Sequence, residues 1–460
     1  MTKAVSRPLQ ATARAFRQLA DQTIKKDPVR AIVELITNSD DSYKKLEKLG
    51  LEQAGEIEIY FRRYQNQASI RIRDFAQGMS SELMDQAVGL YGSDTSGFLA
   101  GEGGRSFFGR GLKEAILGMG SGFVRSIQNN LYHESVLSIN LYEREIPKEA
   151  TQLYKDKLGI NSRGTEISLV IDRQGITIPQ FETLKRSLEL HYALRDILSS
   201  SKRIATLIEL DSKDEIKNKA NLTYVFPKGD LIINKPFNLP EFETEAVLQI
   251  YKASEPLTGR EDGYLRQNGI LICSKGAIHD IGLFKFENED LAKNLFGRII
   301  CDGIDVLLRS NESILSDSRD GLDWSHPLNK KLRLLIEQEL EIYIQEERKK
   351  KEETESTLET ENTKKRFKKA IDKLNSIVAN ELKDSPRVGE GETQKGQMFP
   401  PNGFDFVPNY YHLLVNKQSM LTLKLDTEKI DEELENITVS TDSPNIEIIS
   451  KTIKKEEIIS

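Results

Sequence analysis

The chain has 460 residues, too many for one compact core and enough for about three domains. With 38% apolar residues, 30% charged residues and a net charge of −7, it reads as an ordered, water-exposed protein that is no general magnet for nucleic acid, although a local basic patch stays open. Cys273 and Cys301 lack paired spacing, the first residues carry no secretory leader and no apolar run reaches membrane-spanning length. Disulfide frameworks, zinc clusters and membrane partners are therefore not expected, and a cytoplasmic location is.

Asp27-Pro28 predicts a helix start, because Asp caps orphan N–H groups and Pro at the first helical position forfeits nothing. That helix should run to about Lys48 and stop near Gly50. "EIEIYFRRY" (56–64) and "ASIRIRDF" (68–75) alternate with period two and read as antiparallel strands. A glycine-dense stretch follows between Gln77 and Gly120: a loop first, then a helix from Gly111 with Leu112, Ala115, Ile116 and Met119 on one face. Strands are expected at 123–128, 135–143 and 164–171. Residues 1–174 thus read as an α/β sandwich with one helical face and a mostly antiparallel sheet.

A second α/β unit is expected over 175–326, with a helix at 180–198 and strands near 205–210, 222–226, 269–274 and 299–308. From Pro327 to residue 385 the composition turns highly charged with apolar residues at helical spacing, reading as long helices or a coiled coil. A Pro/Gly linker over 386–405 precedes a β-rich segment at 406–460. That segment is too short for a full sandwich, so the chain is expected either to stop partway through a larger protein or to end in a small accessory sheet. The overall class is α+β. His133, His191, His279, His326 and His412 show no ligand spacing and read as ordinary packing or surface groups.

Chemistry-bearing residues recur in order along the first unit. In "IVELITNSDDSY" (32–43), Glu34 and Asn38 stand i,i+4 on one helix face. Such a pair is either a solvated edge or two halves of a site. "IRIRDFAQGM" (70–79) places Asp74 at a strand end entering a turn with Gly78. An Asp there can accept from an exocyclic amine, and glycine lets a flat base approach the backbone. "FFGRGLKEA" (107–115) places Gly109 and Gly111 just before a helix, freeing N–H groups to face a phosphate. "GTEISL" (164–169) adds Thr165, whose hydroxyl could join Asp74 through water.

These four segments, in this order, resemble the motifs of the GHKL ATPase superfamily: gyrase B, the heat-shock-ninety chaperones, histidine kinases and the MutL proteins. The resemblance covers roughly residues 25 to 172 and implies a Bergerat-type sandwich that binds ATP and magnesium. It makes Glu34 the base that activates water, Asn38 the magnesium ligand and Asp74 the reader of the adenine amine. Gly78, Gly109 and Gly111 would shape the base and phosphate contacts, with Met79, Leu112 and Thr165 in the same motifs. Asp41 would lie near the nucleotide. Lys113 would either reach a phosphate or sit on the helix surface. Two departures stand out: Ala76 occupies the first glycine of the usual D-x-G-x-G, and Ser106 replaces a glycine that Gly104 could supply instead.

No phosphoacceptor histidine precedes residue 30, so the histidine-kinase branch fits poorly. Residues 175–326 fit a transducer domain like that of the heat-shock-ninety, gyrase or MORC-like branches, which returns a cation to the γ-phosphate. Arg319 in "SDSRDGL" is the expected cation, against a surface ion pair with Asp317 or Asp320, and Lys275 is the competing candidate. The resemblance implies a slow ATPase acting as a conformational clamp. ATP would order the 79–104 loop as a lid and pair two chains into a homodimer acting on a protein or nucleic-acid client, for instance in antiviral defence. A non-hydrolysing nucleotide-bound scaffold and an ATP-gated DNA-handling factor using "KKRFKK" (364–369) are the alternatives.

Overall fold

Thr12 and Asp27 open the first two helices, α1 (Ala13–Ile24) and α2 (Pro28–Lys48). Each accepts a backbone N–H that its helix leaves unpaired, from Ala15 and Val29 respectively. The computed structural model describes residues 12–51, 54–64, 68–91, 110–258, 265–274, 276–310, 312–316, 321–381, 404–407 and 422–425. The chain continues through β1 (Gly55–Arg62), β2 (Ser69–Asp74) and α3 (Ser81–Met84), which runs into a π-helical turn at Asp85–Gly89. Next come α4 (Gly111–Met119), β3 (Gly120–Gln128), β4 (Leu131–Ser138), β5 (Leu141–Arg144), β6 (Lys148–Glu149), α5 (Gln152–Leu158) and β7 (Gly164–Ile171). Then follow α6 (Phe181–Leu190), α7 (Arg195–Leu198), β8 (Arg203–Leu210) and β9 (Ile216–Leu222).

Among the described residues these strands form one nine-stranded sheet, in the order β5-β4-β3-β7-β2-β1-β8-β9 with β6 paired to β4. It is antiparallel except where β1 lies parallel to β8, Ile57 opposite Ala205 and Ile59 opposite Leu207. The period-two pattern explains the layering. Ile57, Ile59, Phe61, Ile70 and Ile72 turn to the helical side and meet Ile32, Leu35, Ile36, Ala115 and Ile116 in one core. Each such aliphatic side chain, fully withdrawn from water, stabilises the fold by about 1.5–3 kcal/mol. The strands β8 and β9 lie beyond residue 174, the domain boundary expected from the sequence, and still belong to this sheet.

The later strands are β10 (Gly229–Leu239), β11 (Thr244–Ala253), β12 (Gly269–Ser274), β13 (Ala277–Gly282) and β14 (Leu295–Cys301). They make a five-stranded sheet in the order β10-β11-β14-β12-β13. Helices α8 (Gly303–Arg309) and α9 (Pro327–Glu381) follow. Ile304, Leu308, Leu328, Leu332, Ile336, Leu340 and Ile344 pack with Leu248, Ile250, Ile270, Ile272 and Ile299 in a second core. Contacts divide the chain into Met1–Glu361 and Asn362–Ser460. In the latter, β15 (Phe404–Val407) pairs antiparallel with β16 (Thr422–Leu425). The expected strands "NITVS" and "NIEIIS" and most of the 386–405 linker lie outside the described residues.

The class is mixed α+β, as the sequence implies. Local differences have physical causes. The helix expected over 180–198 breaks at His191, whose backbone is extended because it bridges to Leu265, while its Nδ1 accepts from Ala193 N–H at 3.3 Å. The strand expected over 135–143 is a hairpin that turns at Ile139 and Asn140. The strand expected over 299–308 ends at Cys301, and α8 takes over two residues later. The 222–226 strand stops at Leu222. No helix among the described residues is long and apolar enough to cross a membrane.

Candidate functional site

α2 carries two polar faces with different tasks. Asp40, Lys44 and Glu47 face β8. There Arg203, itself buried, gives Nε to Asp40 at 2.7 Å and Nη1 to Glu47 at 2.6 Å, while Lys44 Nζ lies 3.1 Å from Asp40. Arg203 also stacks over the Tyr43 ring, 5.2 Å from its centroid. This locks α2 to the sheet. The face bearing Glu34, Asn38 and Asp41, spaced i, i+4 and i+7, looks the other way.

Across from that face stands the end of β2. Asp74 is buried, and its Oδ1 accepts from Ala76 N–H at 3.0 Å while Oδ2 accepts from the Ser39 hydroxyl at 3.3 Å. Burial pushes its carboxyl up from 3.8 to about 6, against the hydrogen bonds from Ala76, Ser39 and Thr165 that favour the charged form. The turn after it is held by Tyr43, whose hydroxyl donates to Glu56 O at 2.7 Å and accepts Phe75 N–H at 2.9 Å. Ala76 turns its methyl into the core. That departure from the resembled motif therefore adds no bulk to the site.

Gly78 is needed twice over. Its φ is +76°, and a Cβ there would come within 2.4 Å of Ile127 O. Met79 N–H, next along, donates to Ser126 Oγ at 2.8 Å. Thr165 on β7 sits opposite Asp74 in the β2–β7 register, with its hydroxyl 3.4 Å from Ser126 Oγ. Gly111 opens α4 against the Glu34 carboxylate: a Cβ at Gly111 would fall 1.5 Å from Glu34 Oε1. Glu34 therefore lies at the positive end of α4, which favours its charge.

Asn38, Ser39, Asp41, Ser42, Lys45, Asp74, Gln77, Gly78, Met79, Gly111, Leu112 and Thr165 line one cavity of about 100 Å³, with Leu83, Ala87 and Ile167 supplying apolar wall. Segments far apart in sequence thus converge on one space. Lys113 is on neither the helix surface nor the cavity wall. It is buried, and its Nζ donates to Ala87 O in the π-helical turn at 2.6 Å. Gly109, Arg319 and Lys275 lie outside the described residues, as do Gly104 and Ser106.

Ser39 and Ser126 were not singled out by sequence reasoning. Ser39 follows Asn38 directly and sits five positions after Glu34, off the i,i+4 pattern that drew attention to that pair. Ser126 lies in an ordinary β3 pattern with no local signal at all. A broader concavity of about 510 Å³ lies on the second sheet, lined by Asn238, Glu243, Thr244, Glu245, Val247, Ile300 and Asp302. Its three carboxylates oppose an anionic ligand. The second sheet approaches α2 elsewhere, where Lys44 Nζ donates to Gly276 O at 3.5 Å in the β12–β13 turn. The base of that turn is tied by Ser274, whose hydroxyl meets His279 Nε2 at 2.7 Å and donates to Asp305.

Compared with known proteins, the chain matches no family model and no curated protein.

Proposed function

We propose that the cavity between α2, the Asp74–Met79 turn and α4 binds ATP with magnesium in a Bergerat-type site, and that the protein hydrolyses it slowly as a conformational clamp. The observation that carries this reading is the convergence of Asn38, Asp41, Asp74, Gly78, Gly111 and Thr165 on one cavity, with the Glu34 carboxylate against Gly111.

Each side chain then has a task. Asp74, held acceptor-ready by Ser39 and Ala76, receives the adenine amine. Gly78 keeps the floor flat for the base. Gly111 leaves room for the Glu34 carboxylate, which takes the proton of the attacking water. Asn38 fits a magnesium held mainly by phosphate oxygens and water, since such ions take only one or two protein oxygens. Bound there, magnesium would neutralise phosphate charge. Arg319 or Lys275 remains the proposed cation for the γ-phosphate.

The cavity is smaller than the ~300 Å³ at which ligand pockets usually begin, so nucleotide entry parts its walls. That movement is the proposed source of closure and ATP-dependent pairing of two chains.

The test sets titration with labelled ATP beside a phosphate-release assay, and sizes the protein with a non-hydrolysable analogue. Saturable magnesium-dependent binding, slow release and a shift from monomer to dimer are expected. Binding without release would support a nucleotide-held scaffold instead, and no binding would end the nucleotide reading.

A further inference from the structure

Ser126 is wholly buried just behind the wall of the candidate base site, in contact with Met79 and Thr165, which line it. Its hydroxyl has one proton and two lone pairs to place. The proton goes to Gly164 O at 2.7 Å, a carbonyl that can only accept. One lone pair takes Met79 N–H at 2.8 Å, a group that can only donate. The remaining contact is Thr165 Oγ1 at 3.4 Å. Since Ser126 has no second proton, Thr165 must be the donor in that contact. The Thr165 oxygen then keeps only lone pairs for the cavity it lines.

We propose that Ser126 is a positioning residue that fixes Thr165 as a hydrogen-bond acceptor, and so sets a preference for a base bearing an exocyclic amine over one bearing a carbonyl. This rests on the nucleotide reading above. With Thr165 locked in this sense, the base end of the cavity offers acceptors from both Asp74 and Thr165. An amine satisfies both groups. A carbonyl at the same place would meet lone pairs on each side and leave buried acceptors unpaired, which a polar site rejects strongly. Ser126 also fixes the other side of the base, because it anchors Met79 beyond the left-handed Gly78.

ATP and inosine triphosphate differ at the base's six-position, an amine against a carbonyl, and at N1, a bare acceptor against an N–H. The N1 difference is the same for every variant, so the change in their ratio on substitution reads the Thr165 hydroxyl, and they are the probes. Affinities of both are measured on the full chain by competition with labelled ATP, for the native protein, Ser126→Ala and Thr165→Val. The native protein should favour ATP. Ser126→Ala frees the Thr165 hydroxyl to turn and donate to a carbonyl, so the ATP-to-inosine preference should fall by about tenfold, the scale of one hydrogen bond. A general loosening of the turn would weaken both ligands together and leave the ratio unchanged, which would overturn the proposal. Should Ser126→Ala fail to fold, Thr165→Val carries the test: it should weaken ATP and spare inosine triphosphate. Unchanged selectivity, or greater loss of the inosine ligand, would overturn it. A native protein that binds neither probe would instead count against the nucleotide reading itself.

Discussion

Replacing Asp74 with Asn should make the protein more stable and worse at binding nucleotide. In the folded chain, burial raises this carboxyl from 3.8 to about 6, so folding favours the protonated form. Below pH 3.8 the group is protonated in both folded and unfolded chains, and its contribution is fully present. As pH rises from 3.8 to about 6 the unfolded chain releases its proton while the folded chain still holds it, so that stability is lost across this window and the loss is complete above about 6. At about 1.4 kcal/mol per pH unit, the loss at pH 7.5 comes to about 3 kcal/mol. Asn is close in shape to the neutral acid and keeps an acceptor for Ala76 N–H. Urea unfolding of Asp74→Asn should therefore show a gain of about 3 kcal/mol at pH 7.5 that shrinks toward zero near pH 4. Over the same range ATP affinity should drop by about 10- to 100-fold, the scale of a hydrogen bond to a charged group. A variant no more stable than the native protein at pH 7.5 would refute the buried-carboxylate reasoning, whatever happens to binding.

Gly111→Ala places a methyl where Glu34 Oε1 now lies. With Glu34 as the proposed base, displacing it by about an ångström should cut turnover by about 10²-fold while ATP binding changes less, as phosphate release against labelled-ATP binding would reveal. Arg203→Met leaves Asp40 and Glu47 without their guanidinium partner and should cost about 3 kcal/mol in chemical denaturation. An additional Asp40→Asn change should recover part of that loss, and purely additive effects would contradict the coupling.

What the sequence discloses depends on how local the physics is. The start of α2 follows from Asp27 and Pro28, and the period-two runs at Ile57–Phe61 and Ile70–Asp74 fix which side chains reach the core. The placing of Asp74 at a strand end and Gly78 in a tight turn was equally legible, because each rests on backbone rules at its own position. Long-range pairings were not. Nothing near Arg203 announces that β8 returns beside β1, or that its guanidinium will hold Asp40 on α2. The break at His191 depends on a bridge to Leu265, more than seventy residues away, which helical periodicity cannot register. The helix-surface reading of Lys113 fails for a related reason, because its side chain is buried. A lysine at the third position of a helix reads locally as a surface group, yet the π-helical turn brings Ala87 O within 2.6 Å of its ammonium. Ser39 and Ser126 were silent because a hydroxyl becomes part of a site only through the partners the fold assembles around it.

The most direct measurement is single-turnover phosphate release by Glu34→Ala, run beside its equilibrium binding of labelled ATP with magnesium. Glu34 stands against Gly111 at the start of α4, whereas Asp74, the proposed reader of the base, lines the cavity. The expected result is ATP affinity close to the native value with release abolished. Release at the native rate would contradict Glu34 as the water-activating base.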